Sequence, residues 1–551
     1  MFLYRLKLNN INAKHKKNKR SAENILYSVL YFILVLFVLY FQYFKIFLER
    51  KMIIMTPQIA AFIVYFAAVL AIGLVFFFKS KGTGEKDYFL GGRSMGPWVT
   101  ALSAQASDMS GWLLMGFPGS ILAFGMGQVW IGIGLALGTA ANWIFIARRL
   151  RKFSQAANDS ITVPQYLSNR FLTKNPALQI ICAVVFLVFF TIYVASSFVA
   201  GQKVFIQVVP QLESNPNLAL LIFAAIIIVY TFLGGFKAVC WTDFFQGLMM
   251  LAALLAVPLV LVFVKDLDYS VFEAVDGGVS PMNPFSASWK DIASGLAWGL
   301  GYFGMPHIIV RFMSTKNSKV LKKSATIGIV WVVLSLGAAI AMALLGRGYA
   351  PTQALVDAGS QELVFVTLVQ DIFSGPWAFV AGLLLSAIVA AAMSTADSQL
   401  LVASSSFTSD IYKPVFRKKA SDKETLWVGR IVVLIIAVIA YFIASSKSEG
   451  AATIMTLVDN AWGGFGSAFG PVIILSLFWK RFTYKGAIAG VVGGALVDVL
   501  WMNLLADTGI YELLPGFIAG FICAVVVSLI DKKPSKEVEA LYEKAISAEI
   551  E

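Results

Sequence analysis

Long apolar stretches recur along almost the whole chain, and they restrict the fold more than any other feature of the sequence. Of the 551 residues, 58% are hydrophobic and only 14% are charged. A soluble domain cannot bury so much apolar surface, because the buried fraction grows slowly with chain length. Runs of about 18 or more apolar residues are typical of spanning helices, whereas transmembrane β-barrels have shorter, alternating segments. The sequence therefore predicts an all-α polytopic membrane protein.

The apolar runs predict about fourteen spans, at roughly 20 residues per crossing. The first covers Ile25–Leu48 and the second Pro57–Phe78. The other spans begin near Pro97, Val129, Leu178, Asn217, Thr242, Ile292, Thr326, Trp377, Leu426, Ala451, Ala487 and Leu513.

Lysine and arginine are concentrated in every second loop. These loops are Lys79–Arg93, Arg148–Lys152, Lys316–Lys323, Lys413–Lys423 and Lys480–Lys485. Cytoplasmic loops of membrane proteins carry such an excess, so these loops and the tail from Asp531 are predicted to be cytoplasmic. The same rule accounts for the net charge of +13 without a nucleic-acid partner.

The first 51 residues form an unusual extension. Arg5–Arg20 is basic and Ile25–Leu48 is apolar, but the apolar run is too long for a signal peptide and no small-residue cleavage site follows. Two interpretations stay open: an extra N-terminal helix, or translation that starts at Met52 or Met55. The predicted division is an extension over 1–51, a transport domain over 52–531 and a charged tail over 532–551.

The sequence lacks the signatures of an enzyme. It contains neither a GxxxxGK[ST] phosphate loop nor an HExxH zinc motif, and catalytic residues form no recognisable cluster. Two histidines leave no basis for a transition-metal site. Cys182, Cys240 and Cys523 lie in or beside apolar segments, so we expect no disulfide framework.

An acidic residue interrupts the third apolar segment. Asp108 lies at its centre, flanked by Ser107, Ser110 and Gly111. Burying a charge in a membrane helix costs about 2.5–3.5 kcal/mol or more, so such residues indicate function. Small polar residues and glycine favour local unwinding, and the carbonyls that this frees are tolerated where they line a cavity or bind an ion. The alternative is a small-residue packing face with one snorkelling aspartate.

Two further segments carry unusual residues. Ser394 and Thr395 follow an alanine run that permits close helix approach; their hydroxyls suit a hard cation such as sodium, although such pairs also join helices. Trp298 and Tyr302 lie four residues apart in a segment rich in glycine, on one helical face. Their rings could hold an ammonium group, at about 0.5–2 kcal/mol, or could simply pack.

Several ungapped stretches resemble the sodium/solute symporter family, and within it the bacterial sodium/proline symporters. They are Ala101–Gly119, Phe190–Ala195, Thr231–Asp243, Trp298–Met313, Leu384–Thr395, Ala461–Pro471 and Tyr511–Phe517. The resemblance runs from about Thr56 to Asp531. It implies about thirteen core helices, with two inverted five-helix repeats that begin near Pro97 and Ile292, and a site between broken helices near the membrane midplane.

The resemblance also implies the roles of individual residues. For sodium, it points to the carbonyls of Ala106, Met109 and Ala391 and to the hydroxyls of Ser394 and Thr395. Asp108 matches an aspartate important for sodium coupling, without being a direct ligand. For L-proline, it points to Ser110, Gly111, Trp112, Tyr193, Trp298, Tyr302 and Pro306.

Three residues depart from the family pattern, and one further acidic residue lies in an apolar span. Met305, Gln105 and Asp459 depart from the family pattern, and Met305 borders the expected substrate pocket. Asp459 and Asp498 are interpreted as residues of solvated helix ends.

The expected function is sodium-coupled uptake of L-proline across the plasma membrane by alternating access, with sodium as the co-transported ion. The alternatives are symport of pantothenate, a sugar or another amino acid, or, in other classes, a transporter-like sensor or an ion channel. A sensor is disfavoured, since only about twenty residues follow the last span. The oligomeric state is left open.

Overall fold

The computed structural model describes residues 55–79, 84–233, 235–273, 282–446 and 453–547. Within these ranges every regular element is a helix, and one isolated β-bridge joins Met95 to Thr315. The expected all-α architecture is therefore confirmed. The apolar run Ile25–Leu48 lies outside the described residues.

The α-helices of the described residues are numbered in chain order. In chain order they are α1 (Pro57–Lys79), α2 (Glu85–Leu90), α3 (Pro97–Asp108), α4 (Phe117–Phe124), α5 (Val129–Ala141), α6 (Arg148–Ala156), α7 (Val163–Arg170), α8 (Ala177–Val208), α9 (Pro216–Leu233), α10 (Phe236–Val264), α11 (Trp289–Ala297), α12 (Pro306–Met313), α13 (Val320–Arg347), α14 (Ala350–Asp357), α15 (Val364–Ile372), α16 (Ala378–Ser406), α17 (Asp422–Ala444), α18 (Ile454–Phe478), α19 (Tyr484–Leu504), α20 (Leu513–Ile530) and α21 (Lys536–Ile546).

Among the described residues, ten helical segments are long and apolar enough to cross a membrane. Three further segments complete the bundle: α9, which is short, and two segments that are broken midway, α3–α4 and α11–α12. The described part of the chain thus contains thirteen membrane segments, in agreement with the expected core.

The two broken segments each open a set of five. The first set comprises α3–α4, α5–α6, α8, α9 and α10, and the second comprises α11–α12, α13, α16, α17 and α18. An odd number of crossings in the first set makes the second set enter the membrane from the opposite side, which is the inverted-repeat arrangement of many transporters. The helices α1, α19 and α20 lie outside the two sets.

Two helices begin six residues earlier than the apolar pattern predicts. The fifth helix of the first set begins at Phe236 rather than near Thr242, and α13 begins at Val320 rather than near Thr326. Each extension carries lysine, and Lys237 forms an ion pair with Asp87 at 2.6 Å. A span is recognised in the sequence by its apolar run, which covers only the part of the helix inside the membrane. The polar first turns of these two helices lie before that run and were therefore not predicted.

The cysteines agree with the expectation, since Cys182, Cys240 and Cys523 are all free thiols. The charged tail is more ordered than its composition suggests. Its helix α21 is capped by Ser535, whose hydroxyl accepts a hydrogen bond from the Val538 N–H, and it packs along α6.

Candidate functional site

The first broken segment changes direction at the position of the buried aspartate. Helix α3 ends at Asp108, and Met109 leaves the helical conformation with φ −81° and ψ 81°. The Ser110 N–H donates to the Asp108 carbonyl at 3.0 Å, and the chain continues through a π-helical turn, Trp112–Gly116, into α4. The structure thus contains the local unwinding that the sequence predicted.

Four of the five predicted sodium positions lie together at this break. The Ser394 hydroxyl donates to the Ala106 carbonyl at 2.7 Å, and Thr395 reaches the same carbonyl at 3.5 Å. Ser394 also lies 3.1 Å from the Ala391 carbonyl of its own helix. All four residues are fully buried. Helix α16 and the end of α3 therefore bring hydroxyl and carbonyl oxygens to one buried point.

The fifth position, Met109, directly follows the last residue of α3. Its N–H donates to the Gln105 carbonyl at 2.9 Å, so its own carbonyl lies beyond the last helical hydrogen bond. Oxygen donors of this type suit a hard cation. Among the described residues no group of three or more His, Cys, Asp or Glu side chains suits a metal ion.

Asp108 connects this oxygen cluster to the predicted substrate residues. Its Oδ2 accepts a 2.5 Å hydrogen bond from the Tyr302 phenol, while its buried Oδ1 has no hydrogen-bond partner among the described residues. Its main-chain carbonyl accepts from Trp112 Nε1 at 3.3 Å and from the Tyr193 phenol at 3.4 Å. Three of the predicted substrate residues therefore converge on Asp108.

An aromatic wall surrounds Trp298. Its ring centroid lies 6.5 Å from Trp112, 6.2 Å from Trp462 and 5.3 Å from Tyr511, which stacks on it. Trp462 Nε1 donates to the Trp298 carbonyl at 2.8 Å, and its ring packs edge-on against Tyr302. The rings of Trp298 and Tyr302 thus pack against other aromatic rings of the bundle.

Sequence reasoning missed two members of the wall, Trp462 and Tyr511. Both lie in stretches that carry the family resemblance, Ala461–Pro471 and Tyr511–Phe517; the one charged residue there, Glu512, does not by itself indicate a pocket. Their position against Trp298 depends on long-range packing between helices, which local sequence does not encode.

The second broken segment unwinds just before Pro306. A 3₁₀ stretch, Trp298–Phe303, leads to Met305, which precedes α12 with an extended backbone. Pro306 occupies the first helical turn, where its missing N–H costs nothing. Met305 is fully buried, and the His307 ring that follows Pro306 lies 6.2 Å from Tyr193.

Ser110 and Gly111 form a tightly packed turn of the site. The Ser110 hydroxyl is buried and has no hydrogen-bond partner among the described residues. A Cβ placed on Gly111 would lie 2.5 Å from the Cβ of Ala200, so only glycine lets this turn approach α8.

A cavity of about 430 Å³ lies one turn further along the same broken segment. Its lining includes Gly116, Ser120, Lys203, Glu362 and Met455. Lys203 and Glu362 form an ion pair within this lining. The cavity therefore adjoins the end of the π-helical turn at Gly116.

These features define a class of protein: an all-helical membrane protein with two inverted sets of five segments, each opened by a broken helix, as in many transporters. The sodium:solute symporter family model matches residues 88–494. The chain belongs to this family.

Curated relatives match the chain over most of its length. It is 42% identical to the osmoregulated proline transporter OpuE of Bacillus subtilis over 494 residues, which cover 87% of this chain and 96% of that protein. It is 43% identical to the sodium/proline symporter of Escherichia coli over 499 residues, 90% of this chain and 97% of that one.

A solved structure shows the same fold. It is a sodium-coupled sialic acid symporter in a substrate-bound, outward-open state, with a TM-score of 0.69, 19% identity, and coverage of 87% of this chain and 99% of that one. At this level of identity the likeness concerns the fold alone.

Proposed function

We propose that this protein carries sodium and L-proline together into the cell across the plasma membrane. The observation that carries the proposal is the 2.7 Å contact between the Ser394 hydroxyl and the Ala106 carbonyl. This contact joins α16 to the broken end of α3 by oxygen atoms that a sodium ion can bind. The names of the relatives supply the substrate, since both are proline transporters.

Sodium binds to the carbonyls of Ala106, Met109 and Ala391 and to the hydroxyls of Ser394 and Thr395. The ion fixes the end of α3 against α16, because its ligands come from both helices. Asp108 lies between the ion and the aromatic wall, where its negative charge favours the cation. It acts there through its field and through Tyr302 rather than as a direct ligand.

Proline binds on the other side of the break. Its carboxylate lies against the Ser110 hydroxyl and the Gly111 N–H, at the start of the second half of the broken helix, where N–H groups face an anion. Its ammonium and ring lie against Trp112, Tyr193, Trp298, Tyr302 and Pro306. By linkage, sodium and proline each tighten the binding of the other by the same factor.

The sodium gradient supplies enough free energy for accumulation. A membrane potential of 100 mV contributes about 2.3 kcal/mol per charge, and a tenfold concentration gradient about 1.4 kcal/mol. One sodium ion per proline therefore sustains a proline ratio of several hundredfold.

The orientation follows from the basic loops. Placing Lys79–Arg93 and Lys413–Lys423 in the cytoplasm puts the cavity beside Lys203 on the outer face and the C-terminal helix α21 inside the cell. The transport domain covers 52–531. The protein acts as a carrier rather than as an enzyme.

Uptake of labelled proline into right-side-out vesicles tests the function. We expect saturable accumulation with an inward sodium gradient and none when potassium replaces sodium. Competition by pantothenate, sugars and other amino acids distinguishes proline from the alternative solutes, and saturation itself separates a carrier from a channel. Failure of proline to accumulate under either ion would overturn proline as the substrate, and Met305 would then be the first pocket residue to vary.

A further inference from the structure

One face of α17 carries two basic residues, an aromatic ring and an apolar side chain in a single row. Lys423, Trp427, Arg430 and Leu434 follow one another at helical spacing, which places them on the same side of the helix. Lys423 and Leu434 are exposed, whereas Trp427 and Arg430 are half-buried. This face is therefore directed away from the bundle, with its basic end at the start of the helix and its apolar end towards the middle.

Three aromatic rings surround the Arg430 guanidinium. Its Cζ lies 5.1 Å from the ring centroid of Phe232 on α9, 5.2 Å from that of Trp427 and 6.0 Å from that of Tyr88 on α2. Phe232 and Trp427 also pack edge-on against each other at 6.1 Å. A cation is attracted to such ring faces, so the rings fix the position of the guanidinium without neutralising its charge.

Both cations of this face lack an acidic partner. Among the described residues no carboxylate lies within ion-pair distance of Arg430 or Lys423, and the acid beside them on α17, Glu424, pairs with Arg417 at 3.2 Å. Arg430 Nε is buried and has no hydrogen-bond partner among the described residues. Arginine cannot lose its proton in a protein, and an unpaired charge beside lipid is costly. An anion from outside the chain therefore lowers the free energy of this face.

The height of the face matches the lipid headgroups. Helix α17 has 23 residues and is about 35 Å long at about 1.5 Å per residue, whereas the hydrocarbon core is about 30 Å thick. Its first turns follow the basic loop Lys413–Lys423, which lies in the cytoplasm in the proposed orientation. Side chains of a helix point towards its N-terminus, and long basic side chains extend to the interface. The guanidinium of Arg430 is thus directed towards the phosphate level of the cytoplasmic leaflet, and Leu434 lies beside the acyl chains.

We propose that the face made of Lys423, Trp427, Arg430 and Leu434 binds an anionic phospholipid of the cytoplasmic leaflet. The lipid phosphate accepts hydrogen bonds from Arg430, whose planar guanidinium suits phosphate oxygens. Lys423 adds positive charge two turns nearer the cytoplasm, and an acyl chain lies along Leu434. Basic pockets between transmembrane helices on the cytoplasmic side bind such headgroups. The inference goes beyond the proposed function and rests only on its orientation.

The bound lipid contacts both sets of five segments. Phe232 belongs to α9 of the first set, and Arg430 belongs to α17 of the second set. In transporters with inverted repeats such sets move against each other. A lipid held at Arg430 therefore stabilises the arrangement in which α9 and α17 are in contact.

Native mass spectrometry of the purified full-length protein tests the site, with phosphatidylglycerol or phosphatidylcholine titrated in detergent. The wild type should bind phosphatidylglycerol more tightly than phosphatidylcholine. Lys423→Gln/Arg430→Gln should lower the affinity for phosphatidylglycerol about thirtyfold, because each basic residue near an anionic surface contributes about fivefold. Lys423→Gln alone, at an exposed side chain, should lower it about fivefold and guards against misfolding of the double variant. Lys418→Gln/Lys419→Gln removes the same charge from the preceding exposed loop and should bind as the wild type does.

Three results would overturn the proposal. Unchanged affinity in Lys423→Gln/Arg430→Gln would show that the face holds no lipid, and an equal loss in Lys418→Gln/Lys419→Gln would show a general attraction to basic loops. Displacement of the lipid by an equal concentration of glycerol 1-phosphate, which lacks acyl chains, would assign a soluble phosphate ligand instead. The assay contains neither sodium nor proline, so its outcome and that of the uptake experiment are independent.

Discussion

The phenol of Tyr302 donates a 2.5 Å hydrogen bond to Oδ2 of Asp108, and this bond joins the two broken helices at their unwound turns. The carbonyl of Ala106, two residues before Asp108, accepts a hydrogen bond from the Ser394 hydroxyl. Tyr302 also contacts the ring of Trp462. One carboxylate thus lies between the oxygen cluster and the aromatic wall, which gives a physical route by which sodium and solute influence each other.

Tyr302→Phe should weaken this coupling. The change removes the one hydrogen bond that the structure describes to the Asp108 carboxyl group, and leaving a buried acceptor unsatisfied costs about 1–3 kcal/mol. We expect the proline KM, and the sodium concentration for half-maximal uptake, to rise about tenfold or more. Tyr412→Phe is the control, since Tyr412 donates a similar 2.7 Å bond to Glu424 away from the site. Equal effects of the two changes would refute a special role for Tyr302.

Ser394→Ala should raise the sodium requirement more than it affects folding. The variant removes one proposed sodium oxygen and the 2.7 Å link to Ala106. The sodium concentration for half-maximal proline uptake is expected to rise at least tenfold. Ser386→Ala on the same helix is the matched control, because Ser386 bonds only to the Gly382 carbonyl of its own helix among the described residues. Unchanged sodium dependence in Ser394→Ala would remove Ser394 from the ion site.

Gly111→Ala should impair transport through sterics alone. The new methyl group would meet Ala200 at 2.5 Å, and overpacking of this kind costs about 1–3 kcal/mol. We expect lower proline uptake from Gly111→Ala and recovery in the double variant Gly111→Ala/Ala200→Gly, which removes the opposing methyl. Ala200→Gly alone serves as the control. If the double variant is no better than Gly111→Ala, the close approach to α8 is not the reason for glycine.

Arg93 forms a network of contacts at the proposed cytoplasmic end. Its Nε pairs with Asp159 at 2.7 Å, and its Nη1 donates to the Met313 carbonyl at 2.5 Å. The second contact reaches the end of α12, so Arg93 ties the loop before the first broken segment to the end of the second. Burial lowers the pKa of Arg93 from its ordinary value, and Asp159 opposes this shift.

Arg93→Gln should therefore favour an inward-open state. We expect slower proline uptake, together with faster labelling of a cysteine introduced at Met95 by a reagent applied to the cytoplasmic face, with Cys523 replaced by serine. Arg417→Gln is the control, because its ion pair with Glu424 is largely exposed and such pairs contribute little. Slower labelling in Arg93→Gln would show that the network does not hold this side closed.

Sequence alone predicted the parts of the site that carry a local chemical anomaly. The unwound turn at Asp108 follows from serine and glycine around a buried acid, and Ser394 stands out because hydroxyls follow an alanine run. The sequence around Trp462 contains no such anomaly. Its position in the site depends on its contact with Trp298, which lies far away in the sequence.

Asp498 is a residue whose burial could not be predicted from the sequence. Its position in the sequence, a few residues from the end of α19, is as typical of a solvated helix end as of a buried site. In the structure its side chain is fully buried, with Gly463, Gly516 and Ser467 packed closely against it. Contacts between helices that are distant in sequence determine whether such an acidic residue is buried or solvated. The hydropathy pattern contains no information about these contacts.

The C-terminal helix should stabilise the fold without taking part in transport. The Tyr542 phenol accepts a 3.1 Å hydrogen bond from Arg149 Nη2, and its ring lies 4.9 Å from the Arg170 guanidinium. Beside it, Glu543 pairs with Lys480 at 2.9 Å and raises the pKa of that lysine.

Tyr542→Ala removes the ring and one hydrogen bond, so we expect a loss of about 1–3 kcal/mol in stability and a lower unfolding temperature in detergent. The proline KM and the sodium dependence should stay at wild-type values, because Tyr542 contacts none of the proposed site residues. Tyr269→Ala, at a largely exposed ring, should change neither property. A shift in the sodium dependence of Tyr542→Ala would instead mean that the tail controls the transport cycle through Arg149, which also holds the Leu477 carbonyl near the end of α18.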